Sequence, residues 1–405
     1  MSIASDARSL TRVVTRAINM RKHLRQWTRF DKERGPVPSG PFSAVVYFAD
    51  DPVNLYQIQQ WFAPMVELNK SHSVAVIARG VDTADLLSRE CPLPVFWLPT
   101  IADVESWVED QLLGAVFYVN QNSRNFSMMR FRQPAHIFLS HGESDKDYMA
   151  SNQLKAYDYT FIAGEAARER IAARLIDYDV DKRTVMIGRP QVDVDYPGPE
   201  LPHDDRTVVL YAPTWEGDRP SMTYSSVVSH GEAMLEALVA TGTYRVIYRP
   251  HPRTGISDPS YGVAHKRLVA ILEGANRSDP TAQHMVDTET AFGWHLKAAD
   301  ECIADISAVA FDWLATGKPI VLTEPISPDA EIDADGIAGT LATIDASDAA
   351  DVASLLASTT SATQSAMRAE VVKRYFGDTS SGAAMRRWLG AANRLIALRN
   401  TTLGG

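Results

Sequence analysis

The 405-residue sequence holds only two cysteines, Cys91 and Cys302. They form neither a disulfide framework nor a metal-ligand spacing, which points to a reducing, cytoplasmic compartment. No stretch approaches about 18 consecutive apolar residues, and the N-terminus has charges every few positions, so neither a spanning helix nor a cleaved leader is expected. Positive charge is also short: 40 Lys and Arg against 50 Asp and Glu leave a net charge of −10. That balance argues against a nucleic-acid partner, because phosphate attraction would have to work against the whole-molecule field. No Gly-x-Gly-x-x-Gly follows a strand and no Gly-x-x-x-x-Gly-Lys-Ser/Thr occurs, which counts against a dinucleotide dehydrogenase and a P-loop NTPase. No repeat of fixed period is found. What remains, 45% hydrophobic and 22% charged residues, suits two or three soluble α/β domains with real cores.

Local basic character concentrates at the two ends. From Arg8 to Phe30 there are seven Lys/Arg and no acid, with Leu10, Val13, Ala17, Met20, Leu24 and Trp27 spaced by threes and fours. The pattern predicts an amphipathic basic helix over 1–34 that either lies on an anionic membrane, with Trp27 and Phe30 near the headgroups, or packs on the protein. A second basic amphipathic helix is expected over 383–405, packed back on the protein, with membrane contact in addition, so that both basic ends would hold the protein at a membrane. Between them, apolar runs without alternation are separated by helix-length segments: 43–48, 74–78, 95–98, 115–119, 137–139, 159–162 and 185–187, then 208–211, 245–248, 302–304, 320–322 and 341–344. Such runs imply parallel sheets covered on both faces. The turn-rich 188–199 stretch divides an N-terminal domain, 35–200, from a C-terminal domain, 201–382. Two Rossmann-like halves facing a central cleft follow.

Polar groups cluster just past strand ends, where open α/β sheets bind ligands. Tyr211-Ala-Pro-Thr-Trp215 closes one strand, and Arg249-Pro-His-Pro252 closes the next. The flanking prolines fix His251 in a stiff, extended loop, and Arg249 offers a planar fork that matches phosphate. Asp305-Ile-Ser-Ala308 follows a third strand and reads as a helix start, with Asp305 or Ser307 as N-cap and backbone amides able to meet an anion. His141 follows the 137–139 strand beside Gly142, placed to act as a general base. Each also has a plain structural use as turn, cap or polar surface.

Taken in order, these pieces resemble the CDP-glycerol glycerophosphotransferase family of teichoic-acid and capsule primases and polymerases. Tyr211-Ala-Pro-Thr-Trp215 and Arg249-Pro-His-Pro252 are similar to two of its motifs, and His141-Gly142 with Lys146 to its His-Gly-Thr-Pro-Leu-Lys element. Gly188-x-Pro190-x-x-Asp193, Asp305 to Asp312, and Phe376 to Ser381 resemble three more. The resemblance implies a GT-B fold with the CDP-linked alditol donor in the C-terminal half, no cofactor and no metal. It implies His141 as the base on the acceptor, His251 with Arg249 steadying the diphosphate, and Ser307, Asp305, Thr214, Trp215 and Lys146 around the donor. The acceptor would be a lipid-linked or polymeric glycan, and the place of work the cytoplasmic side of the plasma membrane, with oligomeric state left open. Departures fall at Ser140, Glu143 to Asp145, Gln191 and Ala308. Two acids beside His141 would raise its pKa and repel an anionic acceptor. A GT-B glycosyltransferase using a nucleotide sugar and a non-catalytic envelope-assembly scaffold are the rival readings.

Overall fold

The computed structural model describes residues 18, 21–22, 24–25, 27–29, 31–32, 37–145, 150–288, 292–330 and 332–403. Its first sheet is built from β1 (Ala44–Phe48), β2 (Val74–Ala78), β3 (Val95–Trp97), β4 (Ala115–Tyr118), β5 (Ala135–Phe138), β6 (Tyr159–Ile162) and β7 (Thr184–Met186). The second contains β8 (Thr207–Ala212), β9 (Tyr244–Tyr248), β10 (Met285–Val286), β11 (Glu301–Ala304), β12 (Ile320–Thr323) and β13 (Thr343–Ile344). Strand orders are β3-β2-β1-β4-β5-β6-β7 and β10-β9-β8-β11-β12-β13. Pairing is parallel throughout, with β1 in register Ala44 to Val74 and β8 in register Thr207 to Tyr244.

The apolar runs become strands because both faces of each sheet are covered. Along β1, Ala44, Val46 and Phe48 enter one core while Val45 and Tyr47 enter the opposite one. Along β8, Val208, Leu210 and Ala212 alternate with Val209 and Tyr211 between two further cores. Each sheet changes its direction of travel at one place, between β1 and β4 and between β8 and β11. The carboxyl ends on either side of such a reversal leave a crevice that adjoining loops cannot fill.

The last helix, Ala383–Leu403, belongs structurally to the first domain. Trp388, Ala392, Leu395 and Ile396 are buried in that domain's core, with the Trp388 ring 5.2 Å from Trp61 and 5.3 Å from Phe117. Asp193 fixes where this helix starts, its carboxylate accepting from Gly382 N at 2.9 Å and Met385 N at 2.8 Å. An anion is favoured at that end of a helix. Two motif-like pieces, Gly188 to Asp193 and the segment after Phe376, are thus joined in docking a helix.

The expected N-terminal helix falls largely outside the described residues, Phe30 included. Trp27 is only 9% exposed and meets the edge of Trp97 at 5.8 Å. The placement of Trp27 at lipid headgroups is therefore corrected: its indole completes the first domain's core. Arg21, Lys22 and Arg25 on the same segment are exposed.

Candidate active site

On the second-domain wall, β8 runs into Pro213, Thr214 and Trp215, and the position of that turn is set by Asp305. This carboxylate is 0% exposed. One oxygen accepts from Thr214 N at 2.6 Å and Ser226 N at 3.2 Å, and the other from the Thr323 hydroxyl at 2.6 Å. Burial pushes its pKa up to about 6 against the pull of those donors. Asp305, expected from the sequence among the donor-binding residues, thus ties together the ends of β8 and β12 from beneath the site. Thr214 is likewise buried and works through its backbone, whose carbonyl accepts from Ser225 Oγ at 2.8 Å.

Glu216 fixes the loop after β9, accepting from the backbone N–H groups of Gly255, Ser257 and Asp258 at 2.8–3.0 Å. Within that loop Arg253 N donates to His251 Nδ1 at 3.1 Å. With its Nδ1 lone pair engaged, a neutral His251 carries hydrogen on Nε2 and acts as a donor. Trp215 stacks beside this imidazole at 6.3 Å, and the Arg253 guanidinium lies over the indole at 3.6 Å.

Arg249 departs from expectation. Its guanidinium contacts Asp287 at 2.5 Å and covers Phe292 at 5.7 Å, and Asp287 also accepts from His295 Nε2 at 2.6 Å. The anticipated open phosphate fork is a largely buried, charge-paired group. Ser307 caps the helix Ala308–Leu314 without a side-chain capping bond, and its buried hydroxyl has no partner among the described residues. Lys146 lies outside the described residues.

The first-domain wall is the His141 loop, which leaves β5 through Ser140 in a left-handed conformation, φ 60°. A short polar side chain tolerates that conformation by bonding locally, and Ser140 Oγ donates to Gly142 O at 3.0 Å. Trp61 Nε1 donates to Ser140 O at 2.6 Å and Arg189 Nη2 to His141 O at 3.1 Å. Arg189 also reaches Gln60 and, at 2.5 Å, Asp312 on the helix of the opposite domain. A Cβ placed on Gly142 would meet Ala308 Cβ at 3.1 Å, so the loop's glycine lets it close on the start of that helix.

The acids at 143 and 145 do not face the cleft as anticipated. Both are buried on Arg170, at 3.0 Å each. Asp145 further accepts from the Tyr375 hydroxyl at 2.8 Å and from Ile337 N at 2.9 Å. They form a latch between domains, and the expected repulsion of an anionic acceptor is corrected.

One residue joins the walls. Tyr56, on the short helix Leu55–Gln59, meets His141 edge-on at 6.0 Å and His251 at 6.5 Å. One imidazole from each domain therefore borders the same phenol ring. Tyr56, Arg189, Arg170 and Arg253 were not among the residues expected from sequence; only Arg253, beside the proline-braced histidine, carried a local cue. Among the described residues no group of three or more His, Cys, Asp or Glu side chains could hold a metal ion.

A family model described as CDP-Glycerol:Poly(glycerophosphate) glycerophosphotransferase matches residues 111–327. No curated protein matches the chain in sequence. A putative UDP-N-acetylglucosamine 2-epimerase from Listeria monocytogenes is similar in structure, with TM-score 0.57 and 16% identity over 87% of this chain and 96% of that one. A variant of the wall teichoic acid polymerase TagF, soaked with CDPG, gives TM-score 0.53 and 12% identity over 100% of both chains. A glycosyltransferase from Rickettsia africae gives TM-score 0.50 and 11% identity over 88% and 99%. These likenesses establish the GT-B arrangement of two parallel α/β domains around a cleft. With a match that spans more than half of its length, the chain belongs to the CDP-glycerol:poly(glycerophosphate) glycerophosphotransferase family.

Proposed function

We propose that the chain transfers glycerol phosphate from CDP-glycerol to a hydroxyl of a growing or lipid-linked teichoic-acid-type polymer. The acceptor oxygen forms a bond to the phosphorus that bears glycerol, the bond from that phosphorus to the bridging oxygen breaks, and CMP leaves with the electron pair. His141 takes the hydroxyl proton. His251, a donor at Nε2 when neutral, steadies the departing phosphate, and Trp215 and Ser307 border the donor. Transfer of this kind depends on placement and charge stabilisation more than on covalent chemistry by the protein.

The observation that carries this reading is the Tyr56 contact with both imidazoles, which sets a base from one domain beside a donor from the other. Purified protein should release CMP from CDP-glycerol in the presence of a glycerophosphate acceptor. His141→Ala should lower that rate about 10²- to 10⁴-fold, the range for removal of a general base, and His251→Ala should lower it too. Turnover that survives both substitutions would remove the site assignment, and exclusive use of a UDP- or GDP-sugar would replace the reaction.

A further inference from the structure

A CDP-linked donor brings a diphosphate into the cleft, and negative charge builds on the leaving phosphate as the bond breaks, so a cation must meet it. Arg249 already has its charge balanced by Asp287 at 2.5 Å, and that carboxylate is shared with buried His295. Arg189 is likewise paired with Asp312. Arg253 is different: among the described residues its guanidinium makes no ion pair, and its contact is the stack on Trp215 at 3.6 Å.

That stack has a chemical consequence. All five N–H donors of a guanidinium lie in its plane, so an indole against one face orients the group while leaving the donor edges open. Its backbone is equally well placed, since Arg253 N holds His251 Nδ1 and Glu216 secures the next three loop amides that it reaches. The guanidinium and the catalytic imidazole therefore sit on one short, braced loop at the end of β9.

We propose that Arg253, seated on Trp215, is the cation that binds the diphosphate of the donor, while Arg249 serves to hold the second domain together. This rests on the assignment of a CDP-linked donor to the site. A diphosphate ligand spans the imidazole and the guanidinium, the two oxygens of its terminal phosphate meeting the guanidinium edge. A ligand with one phosphate gains less from the pair.

The test compares CDP and CMP binding to the full chain by calorimetry, alongside CMP release from CDP-glycerol. Arg253→Ala should weaken CDP binding at least tenfold, weaken CMP binding much less, and raise KM for CDP-glycerol more than it lowers kcat. Arg253→Lys should recover only part of the loss, because charge returns without the planar fork. Trp215→Leu should resemble Arg253→Ala in CDP affinity, since the cation loses its platform. Arg249→Ala should lower the melting temperature instead. If Arg253→Ala melts like the wild type and binds CDP as tightly, the proposal fails while the functional reading stands. If the wild-type chain neither binds CDP nor releases CMP from CDP-glycerol, the reading fails and the proposal falls with it.

Discussion

Tyr56 is 37% exposed, so its ring does not hold up a core, and its contacts to His141 and His251 set its worth. Tyr56→Phe keeps the ring and should leave kcat/KM within about threefold of wild type, whereas Tyr56→Ala should lower it about tenfold with an unchanged melt, the scale of roughly 1.4 kcal/mol per decade. Equal activity of the alanine variant would show that the ring does not order the two imidazoles. A second residue, His295, gives a pH effect of definite sign. It is 0% exposed, packed against Trp294 at 4.0 Å and Phe292 at 5.3 Å, with Nδ1 unpartnered among the described residues. Burial first, and then the Arg249 charge, lower its pKa from 6.5 to about 4. The unfolded chain takes up this proton near pH 6.5 and the folded chain only near 4, so acidification through that window favours unfolding, by on the order of 3 kcal/mol when complete. His295→Gln keeps an N–H for Asp287 but cannot titrate, and should flatten the loss of stability between pH 6.5 and 4.5; an unchanged slope in urea titrations would exclude His295 as the source. The two histidines proposed as catalytic could be singled out in the sequence because glycine or proline beside an imidazole at a strand end marks placement. Tyr56 was not, because an aromatic at helical spacing looks like any core residue, and its meaning comes from a contact with residue 251.

Arg170 shows what the loops and helices between sheets do together. It sits on the helix Glu165–Arg174 and balances Glu143 and Asp145, while Asp145 is bonded to Ile337 N and the Tyr375 hydroxyl of the opposite domain. Removing the cation from a buried ion cluster strands its carboxylates, which costs about 3–5 kcal/mol. Arg170→Met should therefore lower the urea midpoint sharply, and adding Glu143→Gln with Asp145→Asn should restore most of it. If the triple variant is no more stable than the single one, burial of unpaired charge is not the cause. At this scale the sequence predicted twelve strands near where they lie, because runs such as Val74 to Ala78 contain no polar residue and can only be covered on both faces. It missed β10, two residues long, held by pairing with β9. Nor could it show that Glu143 and Asp145 turn inward. Their charge reads as surface until Arg170, some 25 residues away, is placed beside them.

For the molecule as a whole, two basic ends were expected to bring it to a membrane, and the structure divides them. The C-terminal helix buries its apolar face in the first domain, as Trp388 and Ile396 show. The N-terminal segment turns Trp27 inward and leaves Arg21, Lys22 and Arg25 outside. Among the described residues no helix is long and apolar enough to cross a membrane. We propose that any attachment to an anionic membrane face comes from charge at the surface, since the Trp27 indole is buried and not placed for insertion. Each basic residue near an anionic leaflet contributes about 1 kcal/mol. Replacing Arg21, Lys22 and Arg25 with glutamine should thus weaken binding to phosphatidylserine-containing vesicles roughly 100-fold at 0.1 M salt, where the screening length is about 10 Å. The same change should matter little near 1 M salt, where the length falls to about 3 Å, or on uncharged vesicles. Because these side chains are exposed, the melting temperature should not move, and CMP release with a soluble acceptor should persist. Vesicle binding that survives the substitutions, or that is insensitive to salt, would place the membrane contact elsewhere or remove it.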